Sequence, residues 1–123
     1  MRPENFFNLD EMEAGLTREL APGVTATIYT GDQAMVSIVR FESGAAGKLH
    51  HHPEEQWGFC LEGSATRYQG DLEVPVAPGD FWRTPGNMPH TTKAGPTGLV
   101  LVDIFAPPRR AYETAGSGFG DEK

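Results

Sequence analysis

Turn residues divide this 123-residue chain into short segments at regular intervals, and that punctuation restricts its fold more than any other feature. From Pro22 onward the breaks fall at Gly31-Asp32, Glu62-Gly63, Gln69-Gly70-Asp71, Ala77-Pro78-Gly79, Thr84-Pro85-Gly86-Asn87 and Ala94-Gly95-Pro96. Glycine supplies the positive φ, and proline the fixed φ, that tight turns require. The stretches between them are rich in β-branched and aromatic residues and carry no helical period. They predict strands over Val24 to Tyr29, Ala34 to Phe41, Gln56 to Glu62, Ala65 to Tyr68, Leu72 to Val76, Asp80 to Thr84, His90 to Lys93 and Leu99 to Phe105. In the second of these, Met35, Ser37, Val39 and Phe41 share one face and Val36 and Ile38 the other. Short strands at such spacing predict an all-β antiparallel sandwich or barrel.

Residues 1–21 read as an N-terminal arm or short helical turn, because Leu9, Met12, Leu16 and Leu20 recur at loosely helical spacing while Gly15 interrupts them. The barrel is expected over 22–114, a length that suits one domain, and the Gly-rich 115–123 reads as a flexible tail. Fifteen glycines and ten prolines occur without a repeat, which argues against collagen-like or low-complexity structure. The net charge is −7 and the basic residues are scattered, so nucleic acid is not an expected partner. No apolar run approaches the roughly 18 residues of a spanning helix, so no membrane partner is expected. Cys60 is the single cysteine and no basic-then-apolar leader is seen; the cytoplasm is the expected compartment.

All four histidines fall in two segments punctuated by glycine and proline: His50-His51-His52 before Pro53, and His90 after Pro89. On an extended chain His50 and His52 point the same way with α-carbons about 7 Å apart, close enough to converge on one ion. His51 then points away. Pro53 cannot continue a central ladder, so the chain is expected to bend there and bring Gln56 back beside the pair. Three imidazoles and one amide oxygen would form the ligand set, and imidazole suits Zn, Fe, Ni and Cu alike. The plainer alternatives are a solvated histidine loop, a surface glutamine and a turn histidine bonded to a carbonyl.

With both segments in view, the chain resembles the cupin superfamily, specifically the small single-domain cupins. The first cupin motif is matched by Gly44, His50, His52 and Gly63, with Gln56 where a glutamate is more usual. The second is matched by Gly79, Pro85 and His90, with Asn87 and Ala94 departing from it. The segment Asp103, Phe105, Pro107, Arg109 is similar to the ending of the cupins that linearise unsaturated uronates from pectin and alginate. The resemblance implies a double-stranded β-helix, a jelly-roll barrel. It also implies a divalent metal (Zn, Ni, Fe or Mn) held by His50, His52, Gln56 and His90, a small-molecule substrate and a homodimer.

Parity extends the site. If Gln56 faces inward, so do Gly58 and Cys60, while Trp57, Phe59 and Leu61 face a second sheet or a dimer partner. Cys60 is thus a candidate substrate contact, although a small buried hydrophobe is the favoured reading. Asp103 and Phe105 share a face; Phe105 is a candidate substrate contact and Asp103 the candidate general acid or base, against the alternative of a turn cap or an arginine partner. Arg109 either holds a substrate carboxylate or, with Arg110, forms a solvated exit from the barrel. The leading expectation is a metal-dependent isomerase or cyclase in which the ion acts as Lewis acid on a sugar-acid-like substrate. An iron-dependent dioxygenase and a non-catalytic binding cupin are the alternatives.

Overall fold

The structure, a computed structural model, describes residues 2–11, 14–114 and 116–119. It contains seven strands: β1 (Leu16–Ala21), β2 (Val24–Thr30), β3 (Met35–Phe41), β4 (Glu55–Gln69), β5 (Leu72–Val76), β6 (Phe81–Thr84) and β7 (His90–Ala106), followed by a 3-10 turn at Arg110–Glu113. All pairings are antiparallel, in the order β1-β2-β3-β7-β4-β5, and β6 also pairs with β4.

Two long strands replace four predicted short ones. β4 and β7 pair along their whole length, from Glu55↔Ala106 to Gln69↔His90, and the ladder carries each chain through the turn signals that suggested a break. The signals mark bends instead, where the register shifts between Cys60 and Glu62 and between Gly63 and Ala65. Gly63 sits there at φ +82°, and a Cβ on it would lie 2.0 Å from the Gly98 carbonyl oxygen, so no other residue fits. The bends bring inward residues from both halves into one core: Val39 and Leu101 share it with Ala65, Val76 and Ala94. This is the double-stranded β-helix expected from the resemblance.

The expectation of an arm or short helical turn over residues 1–21 is corrected at its end. Leu16 to Ala21 is a strand on β2, with Leu16 opposite Ile28 and Leu20 buried. A spacing of four satisfies period two as well as period 3.6, so Leu16 and Leu20 did not discriminate between them. Met12 lies outside the described residues. The arm before β1 crosses the outer face of β2 and β3: Phe7 meets Tyr29 at 4.5 Å, and Arg40 donates to the Leu9 carbonyl.

The tail is also corrected over its described part. Arg18, buried on β1, donates to the carbonyls of Ala111, Thr114, Ser117 and Gly118, and Ser117 bridges to Glu19. Phe119 is buried in the core. A buried guanidinium needs acceptors, and turning backbone carbonyls toward it fixes the segment that carries them. Ala115 and residues 120–123 lie outside the described part.

Candidate metal centre

The two histidine segments are joined through their backbones. His50 and His90 exchange both N–H···O bonds, at 3.2 and 2.9 Å, as an isolated bridge ahead of β4. The Asn87 amide donates to the His52 carbonyl at 2.7 Å, and the Gly86 turn lies against the Pro53 carbonyl so closely that a Cβ would come within 2.4 Å of its oxygen. The chain bends at Pro53 as predicted, and β4 begins at Glu55 with Gln56 inward. His52, Gln56 and His90 are buried, His50 is half-buried, and His51 is exposed, the division between His50 and His52 on one side and His51 on the other that strand parity predicts.

One ring nitrogen from each of His50, His52 and His90 lies within 4.8 Å of the other two. The Nδ1 atoms are committed elsewhere: His50 to the Lys48 carbonyl at 2.7 Å, His52 to the Glu54 carbonyl at 3.1 Å and His90 to the Met88 carbonyl at 2.7 Å. A carbonyl oxygen only accepts, so each Nδ1 carries the proton and each Nε2 presents a lone pair. The His90 Nε2 is buried without a hydrogen-bond partner. The His52 Nε2 stands 3.1 Å from the Gln56 Oε1, lone pair against lone pair, because the Gln56 amide nitrogen donates to the Asp103 carboxylate. Converging acceptors without a proton between them are what a cation stabilises, and outer hydrogen bonds of this kind orient metal-binding imidazoles. The donor set therefore fits a divalent ion.

The electrostatics agree with neutral imidazoles. Burial, then the positive charge of Arg109 and the neighbouring His50, hold His52 down at about 4. Burial and Arg67 hold His90 at about 2. Asp103, on β7 opposite Gly58 and Ser37, is pushed up to about 6 by burial, against the lowering effects of Arg67 and Gln56. Its Oδ1 is inaccessible and has no hydrogen-bond partner. Asp103 thus lies beside the ligand set, oriented by Gln56 and facing Arg67, with one oxygen uncommitted.

Phe105 also lines the site, its ring edge-on to His52 at 5.5 Å. Cys60 does not: it is 2 % exposed in the hydrophobic core, its thiol near the Glu62 and Gly63 carbonyls, and burial pushes its pKa up. The solvated-exit reading of Arg109 is overturned, since Arg109 is 1 % exposed, whereas Arg110 is exposed and paired with Glu113. The Arg109 guanidinium stacks over Tyr112 at 4.5 Å, donates to the Phe119 carbonyl and faces Glu54 at 3.7 Å. Glu54 in turn lies 3.3 Å from the His52 Nδ1. Arg109 therefore stands behind His52 and outside the residues that line the cavity.

That cavity measures about 30 Å³ and is lined by His50, Gln56, His90, Asp103, Phe105 and Arg67, among others. This is room for water rather than for a sugar. Phe119 closes one side, its ring 4.3 Å from that of His50. Sequence reasoning missed Arg67, Glu54, Tyr112 and Phe119. The bulges between Gln56 and Arg67 scrambled the parity count along β4, though the alternation of Ala65 and Arg67 carried a local signal. Phe119 had none, lying in a glycine-rich stretch.

A jelly-roll barrel with three imidazoles and an amide oxygen converging inside it defines a metal-binding β-barrel. The chain belongs to the cupin family: the cupin domain profile (Cupin_2) matches residues 37–105. It is 31 % identical over 72 residues to oxalate decarboxylase OxdC of Bacillus subtilis (strain 168), a match spanning 54 % of this chain and 19 % of that protein. The chain thus spans about a fifth of that curated relative. Among solved structures it is similar to KdgF from Halomonas sp., with a TM-score of 0.76 and 25 % identity, covering 86 % of this chain and 97 % of that one. An RmlC-like cupin from Shewanella frigidimarina NCIMB 400 shares the fold at TM-score 0.75 and 23 % identity, over 87 % and 94 % of the two chains.

Proposed function

We propose that this cupin is a metalloenzyme acting on a small anionic, sugar-acid-like substrate by isomerase- or cyclase-type chemistry. The observation that carries the metal reading is the set of three Nδ1–H groups held by carbonyls, which leaves Nε2 lone pairs and the Gln56 Oε1 converging on one point. A divalent metal held by His50, His52, His90 and Gln56 supplies Lewis-acid polarisation of a substrate carbonyl or hydroxyl. Gln56 brings no charge to that ion, in contrast to the more usual glutamate.

The chain's own residues supply the rest. Asp103 holds or moves a proton at Oδ1, and a carboxyl raised to about 6 sits near the pH at which such exchange is most effective. Phe105 and the tightness of the cavity exclude bulk water around that proton. The carboxylate-binding role predicted for Arg109 fits less well than support of His52 through Glu54. The similarity to KdgF and the Asp103-x-Phe105-x-Pro107-x-Arg109 ending favour unsaturated uronates as the first substrates to try.

Incubation with an unsaturated uronate, followed by loss of its double-bond absorbance, is expected to show turnover that chelation abolishes and added divalent metal restores. Turnover that survives chelation in metal-free protein would overturn the Lewis-acid reading. We also propose a homodimer, supported by the outward apolar side chains of Trp57, Leu61 and Phe81 on β4 and β6, which no strand of this chain covers among the described residues.

A further inference from the structure

Arg67 is a buried cation whose donors are not all used. Its Nε donates to Gln69, Nη1 to Thr92 and Nη2 to Thr84, all neutral acceptors. A guanidinium carries five N–H groups, so two remain, one on each terminal nitrogen. Asp103 is the charged neighbour on the cavity side, and its charge acts on Arg67 through space; among the described residues Arg67 has no salt bridge. With a divalent ion on the histidines, the interior would hold excess positive charge.

Arg67 also borders a second space. Besides the metal cavity it lines an open pocket of about 370 Å³ between β5 and β6, walled by Leu72, Val74 and Trp82. Leu72 and Val74 belong to the same face of β5 as the core residue Val76, yet both are exposed, so here the space between the two layers lies open. The Trp82 ring covers Arg67 at 5.6 Å, and its indole Nε1–H is buried without an acceptor. The one acid on the rim, Asp80, is occupied by the Ala77 amide at 2.9 Å. An apolar mouth with an under-used guanidinium at its base recognises an apolar or ring-shaped body bearing a carboxylate.

We propose that the pocket between β5 and β6 is the ligand chamber of this protein and that Arg67, rather than Arg109, is its carboxylate anchor, leading the ligand toward the metal side of the barrel. This rests in part on the proposed metal site, since it names the substrate class and approach for that site. The anion preference itself needs only Arg67 and holds in metal-free protein. The metal cavity and the chamber meet at Arg67, which lines both, and Phe119 closes the cavity on the His50 side.

Trp82 fluorescence, read against Trp82→Phe to remove the signal of Trp57, measures occupancy of the chamber directly. Metal-free and metal-loaded protein would each be titrated with galacturonate and with uncharged galactose. Galacturonate is expected to bind at least tenfold more tightly than galactose in both forms. Arg67→Gln should remove that preference, Arg67→Lys should keep part of it through charge alone, and Arg109→Gln should retain it. Equal binding of the two sugars by wild-type protein would overturn the proposal, as would a preference lost in Arg109→Gln and kept in Arg67→Gln. If Arg67→Gln fails to fold, the wild-type preference and the Arg67→Lys value still decide. Metal content, assayed on the same samples, reports separately on the metal reading, because its absence leaves the metal-free titration standing.

Discussion

Gln56 connects the ligand set to the acid beside it: its oxygen faces His52 and its nitrogen donates to Asp103. Gln56→Glu would place a carboxylate next to both, drawing the metal more tightly while raising Asp103 further. Metal titration should therefore show affinity undiminished, with turnover on the uronate down by about tenfold or more, since the ion becomes a weaker electrophile. The titrating groups also fix the pH dependence of metal-free protein. His52 and His90 stay neutral when folded, whereas unfolded imidazoles take up protons near 6.5. Their contribution is thus present above that pH and is lost as pH falls toward about 4. Asp103 has the opposite sign: raised to about 6, it favours the folded state at low pH and costs stability as pH rises through 3.8 to 6. Two lowered groups outweigh one raised, so urea midpoints should fall from pH 7 to 4.5. Asp103→Asn should be more stable than wild type at pH 7 by up to about 3 kcal/mol, with the difference vanishing near pH 4. A wild type that gains stability on acidification to 4.5 would contradict these environments.

At the level of elements, the bend of β4 over β7 depends on glycine. Gly63→Ala would force a Cβ into the Gly98 carbonyl at a positive φ, and a loss of about 3 kcal/mol or more is expected by chemical denaturation. Phe119→Ala is expected to cost about 3 kcal/mol, as an aromatic removed from a core does, and to quicken metal exchange by uncovering His50. Stopped-flow chelation would measure the second effect. These are also the places where sequence reading stopped. The alternation of β2 and β3 and the inward pairing of His50 with His52 follow from period two and were legible. The continuity of β4 and β7 was not, because a glycine bend within a strand and a turn between strands have the same local composition. The anchoring of Ser117 and Gly118, which carries Phe119 into the core, depends on Arg18, almost a hundred residues away, and no local pattern announces that contact.

For the whole molecule, metal binding and folding are one equilibrium, since the four ligands come from the 50–56 stretch and from the start of β7 and meet only in the folded barrel. A metal at a hundred times its dissociation constant adds about 2.7 kcal/mol, so a melting shift on the order of 10 °C is expected on loading, reversed by chelation. The proposed homodimer predicts twice the 13.4 kDa chain mass by light scattering, and Trp57→Lys should return it to the monomer value. The central claim is that His50, His52 and His90, with Gln56, hold an ion. Elemental analysis of protein purified without a histidine tag, together with His52→Ala, His90→Ala and His51→Ala variants, tests it most directly. The account predicts close to one divalent metal per chain in wild type and in His51→Ala, and almost none in His52→Ala or His90→Ala. Equal metal content in all four proteins, or none in wild type after loading, would contradict it.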